Sequence, residues 1–169
     1  MSIPSVQKAT DIKTMKYNKV SFTKVSPEVS AAHRRFFGRK VRKAFIQYLA
    51  YTNCFDGVLS EKEIIEAKKG YLPEDLDVHH IFPLAGTNSD DVNSFTNLAV
   101  IHKSTHHNIN RNVFEPQLRD VSSMAVGEQR EIYIPIFEQV DAERIIAIRK
   151  ERAAQIAQSL KNNKAYTNF

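Results

Sequence analysis

Histidines are concentrated in one short stretch of this 169-residue chain. Five of the six lie between residues 79 and 107, namely His79, His80, His102, His106 and His107. The same stretch contains no cysteine and carries only a modest share of the charge. Imidazole is the commonest metal ligand and the side chain best suited to proton transfer near neutral pH. We therefore expect a fold that brings several of these rings to one site.

The sequence around the histidines predicts a strand, a loop, a second strand and a helix, in that order. Residues 78–84 form an apolar run broken by Pro83, residues 86–91 form a polar loop, and residues 98–101 form a second apolar run. Ser104 or Thr105 is a suitable N-cap for a helix that contains His106. We expect a ββα unit in which the histidine pair leaves the first strand and His106 lies on the helix.

The adjacent pair His79-His80 predicts a division of roles. Successive side chains of a regular strand point to opposite sides, so the two rings cannot both bind one ion from such a strand. Phosphodiester hydrolysis needs an activated water and a Lewis acid. We assign His79 to a metal ion, with His106 as the second ligand. We assign His80 to the water as general base, because an imidazole with an ordinary pKa of about 6.5 is a competent base near neutral pH.

These residues resemble a known family motif. The run Asp-Val-His-His-Ile-Phe-Pro at residues 77–83 is followed by Asn97-Leu98, and His106 comes nine positions after Asn97. This pattern is similar to the HNH (ββα-metal) endonuclease motif of colicin-type DNases and of the HNH domains of restriction and CRISPR nucleases. The resemblance is limited to residues 77–112. It implies metal-dependent endonucleolytic hydrolysis of DNA.

The resemblance also implies a role for each matching residue. His79 and His106 match metal ligands, His80 matches the general base, and Asn97 matches the asparagine that pins the loop between the strands. Asn110 stands where colicin-type members have a further histidine, so its neutral amide oxygen is expected to reach the same ion.

Asp77 matches an acidic residue that orients an arginine toward the phosphate in colicin-like members. The sequence leaves two alternatives for that arginine, which are Arg111 and the group from Arg34 to Arg42. Members that carry a structural zinc use two Cys-x-x-Cys pairs, which the single Cys54 cannot supply.

The expected cofactor is one divalent metal ion. Two imidazole ligands with no carboxylate ligand identified beside them suit Zn²⁺, Ni²⁺ or Mn²⁺ for tight binding. Mg²⁺ prefers oxygen ligands and its own waters, so it would bind more weakly and could still support turnover. The sequence does not decide among Mg, Mn, Zn and Ni.

Positive charge is concentrated in the first part of the chain. Residues 1–50 contain eleven Lys or Arg against two Asp or Glu, whereas residues 51–169 contain thirteen against seventeen. Such an asymmetry is typical of a face that meets a polyanion. We expect the polar side of a helix over residues 27–52 to bind DNA phosphates. The expected contacts are Arg34, Arg35, Arg39, Arg42 and Lys43, together with Arg111 from the helix that contains His106.

The remaining signals predict an α+β fold that is mostly helical, with a ββα-metal core at residues 77–114 braced by N- and C-terminal helices. Residues 1–26 are expected to be a basic arm with a possible short strand at residues 19–25, and residues 27–169 a single nuclease domain. Ser60 and Glu63 form a capping box for a helix that ends at Gly70. Residues 131–137 are expected to form an edge strand, because Pro135 excludes a central one. A helix over residues 142–160 should bury one apolar stripe.

The biological setting stays open at this stage. An antibacterial toxin, which would require an acidic immunity protein, is one interpretation; a phage, mobile-element or restriction nuclease is another. An RNase and a catalytically inactive nucleic-acid-binding module are the functional alternatives. No apolar run reaches the length of a membrane span. We therefore expect no membrane partner and a protein that acts in the cytoplasm, delivered into target cells if it is a toxin.

Overall fold

The computed structural model describes residues 14–87 and 91–166 of the chain. The strands are β1 (Tyr17–Lys24), β2 (Leu76–His80), β3 (Gly86–Thr87), β4 (Leu98–His102) and β5 (Gln129–Pro135). The α-helices are α1 (Pro27–Phe36), α2 (Arg42–Tyr51), α3 (Glu61–Lys68), α4 (Lys103–Ile109), α5 (Glu115–Leu118) and α6 (Ala142–Tyr166). Two π-helical turns, Phe37–Val41 and Asn110–Phe114, follow α1 and α4. Helices and strands are both present and helices contain more residues, which confirms a mostly helical α+β class.

Strand β1 is the centre of a three-stranded antiparallel sheet with the order β3-β1-β5. It pairs with β5 from Tyr17 opposite Pro135 to Thr23 opposite Gln129. The Phe22 side chain is fully buried, and a Cβ on Gly86 would overlap its ring. Residues 17–24 therefore belong to the folded domain, and the prediction of an arm over all of residues 1–26 was wrong for them. Residues 1–13 of that arm lie outside the described residues.

Strands β2 and β4 form a separate antiparallel ribbon, and α4 follows β4 directly. The register runs from Leu76 opposite His102 to His80 opposite Leu98. The expected order of strand, loop, strand and helix is present, but the first strand ends at His80 and does not reach residue 84. The N-cap of α4 is His102, not Ser104 or Thr105, because the His102 ring accepts a hydrogen bond from the Ser104 backbone N–H at 3.1 Å.

The predicted helix over residues 27–52 is present but divided. Ser26 caps α1 through a hydrogen bond from the Val29 N–H, and the π-helical turn around Gly38 separates α1 from α2. Helix α3 begins at the expected capping box of Ser60 and Glu63. Strand β5 is an edge strand, as its proline requires.

Helix α6 differs from the prediction in its packing. Ile145 near its start is fully buried, but Ile156 and Leu160 are 62% and 58% exposed. The stripe predicted to be core is therefore buried in the first part of the helix only, because α6 extends beyond the body that it packs on. No helix in residues 14–87 and 91–166 is both long and apolar enough to cross a membrane.

Two apolar cores lie on opposite faces of the β2–β4 ribbon. One contains Leu76, Val78, Leu98 and Val100 with side chains of α2, α3 and α6. The other contains Ala99 and Ile101 with side chains of α4, β1 and β5. The alternation of side chains along a strand assigns neighbouring residues to different cores. The ribbon is thus a partition between two packed layers.

An ion-pair cluster joins α6 and α3 to the start of the ribbon. Arg149 on α6 donates to both carboxylate oxygens of Asp75 at 2.9 Å and to those of Glu63 at 3.1 and 3.2 Å. Burial alone would raise the pKa of Asp75 and of Glu63. For Asp75 the Arg149 guanidinium outweighs burial, and for Glu63 the Ser60 N–H and Arg149 together do so, which leaves both pKa values below their ordinary range. This cluster braces the ribbon from the side of the C-terminal helix.

Replacing Arg149 by leucine should lower the free energy of unfolding by about 2 kcal/mol, because two partly buried carboxylates lose charged donors. A depressed pKa in the folded state stabilises the protein above the ordinary values of 3.8 and 4.5, and this stability is lost as the pH falls below them. Arg149→Leu should therefore also flatten the acid dependence of stability. Urea unfolding from neutral pH downward measures both effects.

The matched control is Arg152→Leu, which removes an exposed arginine from the same helix. Its free energy of unfolding should stay within about 0.5 kcal/mol of the wild type. Equal losses from the two substitutions would contradict a specific role for the Arg149 cluster.

Candidate active site

The ribbon places the two adjacent histidines in different surroundings. His79 contacts the rings of Phe114 and Phe137, with centroid separations of 5.9 and 5.8 Å. His80 instead contacts the ring of Phe37, with a centroid separation of 4.4 Å and an edge-on geometry. The alternation predicted from the sequence is therefore confirmed by the neighbours of each ring.

His79 is a buried imidazole with a free nitrogen. Its exposed fraction is 3%, and its Nε2 has no hydrogen-bond partner among the described residues. Burial, together with smaller contributions from the nearby imidazoles of His106 and His80, lowers the pKa of His79 to about 3. The ring is therefore neutral at any physiological pH, which is the form that binds a metal ion.

His106 on α4 lies beside His79, with 5.0 Å between the ring centroids. Its Nδ1 is 3.0 Å from Oδ2 of Asp77, whose other oxygen accepts the Val78 N–H. Burial alone would raise the pKa of Asp77, but the contact with His106 dominates and leaves that pKa lowered. A carboxylate on Nδ1 orients an imidazole and directs its Nε2 away, as in many metal sites.

This contact changes the role predicted for Asp77. We expected Asp77 to orient an arginine, either Arg111 or one of the group from Arg34 to Arg42. In the described structure its hydrogen bonds go to Val78 and His106. Arg42 acts on Asp77 only through its charge, as a minor contribution to the lowered pKa. Asp77 thus positions an imidazole.

His80 lies on the opposite face, next to the loop that leads to β4. Its Nε2 is 3.0 Å from Oδ1 of Asn93. Burial lowers the pKa of His80 although the contact with Asn93 acts in the other direction; the charges of His106 and Arg34 lower it further. His80 is therefore neutral near pH 7, as a general base must be.

Asn97 pins the loop between the ribbon strands. Its Oδ1 accepts the Phe82 N–H at 2.7 Å, and its Nδ2 donates to the carbonyls of Phe82 and Val92 at 3.1 and 2.8 Å. The Ile81 N–H still donates to the Asn97 backbone carbonyl at 2.9 Å, and from Phe82 onward these side-chain bonds take the place of strand pairing. The geometry agrees with the loop-pinning role that the resemblance implies for Asn97.

His79 and His106 are the two imidazoles that could hold a divalent metal ion. Metal–nitrogen bonds are about 2.0–2.1 Å long, so rings as close as those of His79 and His106 can share an ion. The unpartnered Nε2 of His79 and the carboxylate behind His106 are both features of ligand imidazoles. No group of three His, Cys, Asp or Glu side chains in residues 14–87 and 91–166 is placed to hold an ion. Neutral oxygens, water or phosphate would fill the remaining positions.

The predicted DNA-contacting residues fall in two places. On α1 and around the π-helical turn, Arg34, Arg35, Arg39 and Lys43 are exposed, while Arg42 is half-buried. In the π-helical turn that follows α4, exposed Asn110 and Arg111 lie along a groove of about 570 Å³ that Phe114, a neighbour of His79, also lines. The structure thus brings Asp77, His79 and His106 together, and it leaves Asn110 at the adjacent groove.

Sequence reasoning missed the residues that support the histidines. Asn93, Phe37, Phe114 and Phe137 all contact a ring of the pair. A signal was present only for Asn93, because the run Asp91-Val92-Asn93 is typical of an Asx turn, and the Asn93 N–H does donate to the Asp91 carboxylate at 2.9 Å.

The other two histidines of the cluster differ in their surroundings. His102 is buried as a helix cap and His107 is exposed.

Comparison with known proteins identifies one relative of part of this α+β chain. The uncharacterized protein YhhZ of Escherichia coli strain K12 is 30% identical over 97 residues, which are 57% of this chain and 23% of YhhZ. The chain therefore spans about a quarter of the length of that relative. No family model and no solved structure matches the chain.

Substituting His106 by alanine should abolish binding of Zn²⁺ and Mn²⁺, because one of only two imidazole donors is lost. Asp77→Asn should weaken binding by about 10- to 100-fold, the usual cost of losing a partner behind a ligand. Asn110→Ala should weaken it moderately, with recovery at higher metal concentration. Isothermal titration calorimetry of each variant gives the affinities.

His107→Ala is the matched control, since it removes the neighbouring exposed imidazole of the same helix. Its metal affinity should equal that of the wild type. Full affinity in His106→Ala, or loss of affinity in His107→Ala, would contradict the assignment of the ligands.

Proposed function

We propose that this protein is a metal-dependent endonuclease that hydrolyses DNA phosphodiester bonds, of the HNH (ββα-metal) kind that its motif resembles. The observation that carries the proposal is the pair of imidazoles His79 and His106, backed by Asp77, next to a neutral His80 on the other face of the same strand. This arrangement supports two separate roles for adjacent histidines.

His79 and His106 would hold one divalent ion between them. When bound, the ion supplies a Lewis acid that binds the scissile phosphate and stabilises the leaving 3′-oxygen. The protein contributes two preoriented nitrogens, because burial keeps His79 unprotonated and Asp77 fixes the ring of His106. Phe114 and Phe137 surround His79 and limit access of bulk water to it.

His80 would remove a proton from a water molecule. The water oxygen then forms a bond to phosphorus while the bond from phosphorus to the 3′-oxygen breaks. The proton taken from water stays on His80 until it is released to solvent, and the leaving 3′-oxygen takes a proton from water. The products are a 3′-hydroxyl and a 5′-phosphate, so atoms and charge balance.

A basic face formed by α1 and the following π-helical turn supports DNA as the substrate. Arg34, Arg35 and Arg39 are exposed, and the charge of Arg34 reaches His80 strongly enough to lower its pKa. Phosphates bound along this face would therefore pass close to the general base. Arginine is suited to this role because its planar guanidinium binds phosphate oxygens in pairs.

The mechanism predicts that His80→Ala removes cleavage and leaves the metal site intact. Nicking of supercoiled plasmid in Mg²⁺, Mn²⁺, Ni²⁺ or Zn²⁺ should fall by at least about 100-fold, the usual contribution of a general base. Calorimetric metal affinity should change by no more than a few-fold, and EDTA should stop the wild-type reaction.

The matched substitution His33→Ala removes another imidazole near His80 that has no assigned role in cleavage. It should retain cleavage. Loss of metal binding in His80→Ala with activity restored by excess metal would require His79 and His80 to exchange roles. Wild-type protein that binds DNA without cutting it in any of the four metals would leave the inactive binding module as the function, and cleavage of RNA alone would identify an RNase.

Replacing Arg34, Arg35 and Arg39 by glutamine should weaken DNA binding evenly across sequences. Each lost phosphate contact should reduce the slope of log K against log salt by about 0.9. Fluorescence anisotropy with a labelled duplex at several salt concentrations measures both the affinity and the slope, in metal-free buffer to prevent cleavage.

The control triple Lys150→Gln, Arg152→Gln and Lys161→Gln removes the same charge from the exposed face of α6. Its salt slope should match that of the wild type. An unchanged salt slope after the substitutions at Arg34, Arg35 and Arg39 would show that these arginines contact solvent and not DNA. An equal change in both triple variants would show the same.

A further inference from the structure

Asn93 is a buried amide whose orientation is determined by its contacts. Its exposed fraction is 5%, and its Nδ2 donates to the backbone carbonyl of His33 at 3.1 Å. A carbonyl oxygen can only accept a hydrogen bond, so the NH₂ group must face it. The amide oxygen must then face the other partner, which is Nε2 of His80 at 3.0 Å.

This orientation decides which nitrogen of His80 carries the hydrogen. The Asn93 oxygen can only accept, so Nε2 of His80 must donate, and a neutral ring that donates from Nε2 has its lone pair on Nδ1. We infer that Asn93 is a positioning residue that holds His80 in the Nε2–H tautomer and leaves Nδ1 as the nitrogen that accepts a proton. The consequence for catalysis rests on the proposed role of His80 as general base.

The supporting contacts come from three segments that meet at His80. The His33 carbonyl belongs to α1, Phe37 begins the following π-helical turn, and Asn93 belongs to the loop before β4. The Asp91 carboxylate accepts the Asn93 backbone N–H at 2.9 Å, which fixes the loop backbone at this point. The edge-on contact of Phe37 restricts rotation of the His80 ring. Asn93 is therefore held at both its backbone and its side chain.

Substitutions at Asn93 separate tautomer control from packing. Asn93→Leu has a similar size and removes the acceptor, so nothing in this contact would favour one tautomer of His80. Asn93→Asp keeps an oxygen toward Nε2 and should preserve the Nε2–H tautomer, although it loses the donor to His33. Asn112→Asp is the matched control, because it makes the same chemical change at an exposed asparagine.

The direct test is long-range ¹H–¹⁵N NMR of the imidazoles in the metal-free full chain, at a pH where His80 is neutral. His80→Gln identifies the signals of His80 by their disappearance. The wild type, Asn93→Asp and Asn112→Asp should show the Nε2–H pattern, and Asn93→Leu should show both tautomers. An Nδ1–H pattern in the wild type, or a pure Nε2–H pattern in Asn93→Leu, would overturn the inference.

Kinetics on cleavage-competent protein provides the second readout. Asn93→Leu should lower kcat by about 10- to 100-fold, as is usual for a residue that orients a functional imidazole, and should leave KM unchanged. Asn93→Asp should recover part of that loss. Equal kcat in all variants would overturn the positioning role. The NMR result stands whether or not the protein cuts DNA, so failure of the nuclease proposal and failure of this inference are distinguishable.

Discussion

Pairing of β2 with β4 is the constraint on which the site depends. The ribbon separates two apolar cores, so every step along β2 moves a side chain from one core to the other. Adjacent histidines therefore meet different neighbours without any change in the backbone. His79 faces a phenylalanine-lined interior and keeps an unpartnered nitrogen, whereas His80 faces the end of α1 and an amide. One strand thus yields two chemically different imidazoles.

Polar side chains from neighbouring elements then orient each part of the site. Asp77 holds His106, Asn93 holds His80, and Asn97 holds the loop that follows the histidine pair. All three use a carboxylate or amide with a fixed direction, and each is at least partly buried, where a hydrogen bond is strong and competes little with water. The brace at Arg149 acts on the same ribbon from its other end, through Asp75.

Local patterns predicted much of this fold, and distant contacts account for most of what they missed. The caps at Ser26 and Ser60 depend on residues within a few positions, so the starts of α1 and α3 were readable. The pattern of residues 19–25 predicted a short strand, but its pairing with β5 joins segments more than a hundred residues apart, which no local pattern encodes, so the strand was placed in an arm. The contact between Asp77 and His106 was missed for the same reason, since periodicity places both on the correct elements but does not identify hydrogen-bond partners.

The buried nitrogen of His79 carries a cost in stability. An unsatisfied polar atom in a core costs about 1–3 kcal/mol, and an apolar side chain at the same position would avoid that cost. The neighbours Phe114 and Phe137 are otherwise typical of a well-packed interior. Structural reasons alone favour leucine or valine at position 79, as at Val78 and Val100 on the opposite face. An imidazole kept neutral by burial, beside a second one held by a carboxylate, is the arrangement on which the proposed metal site rests.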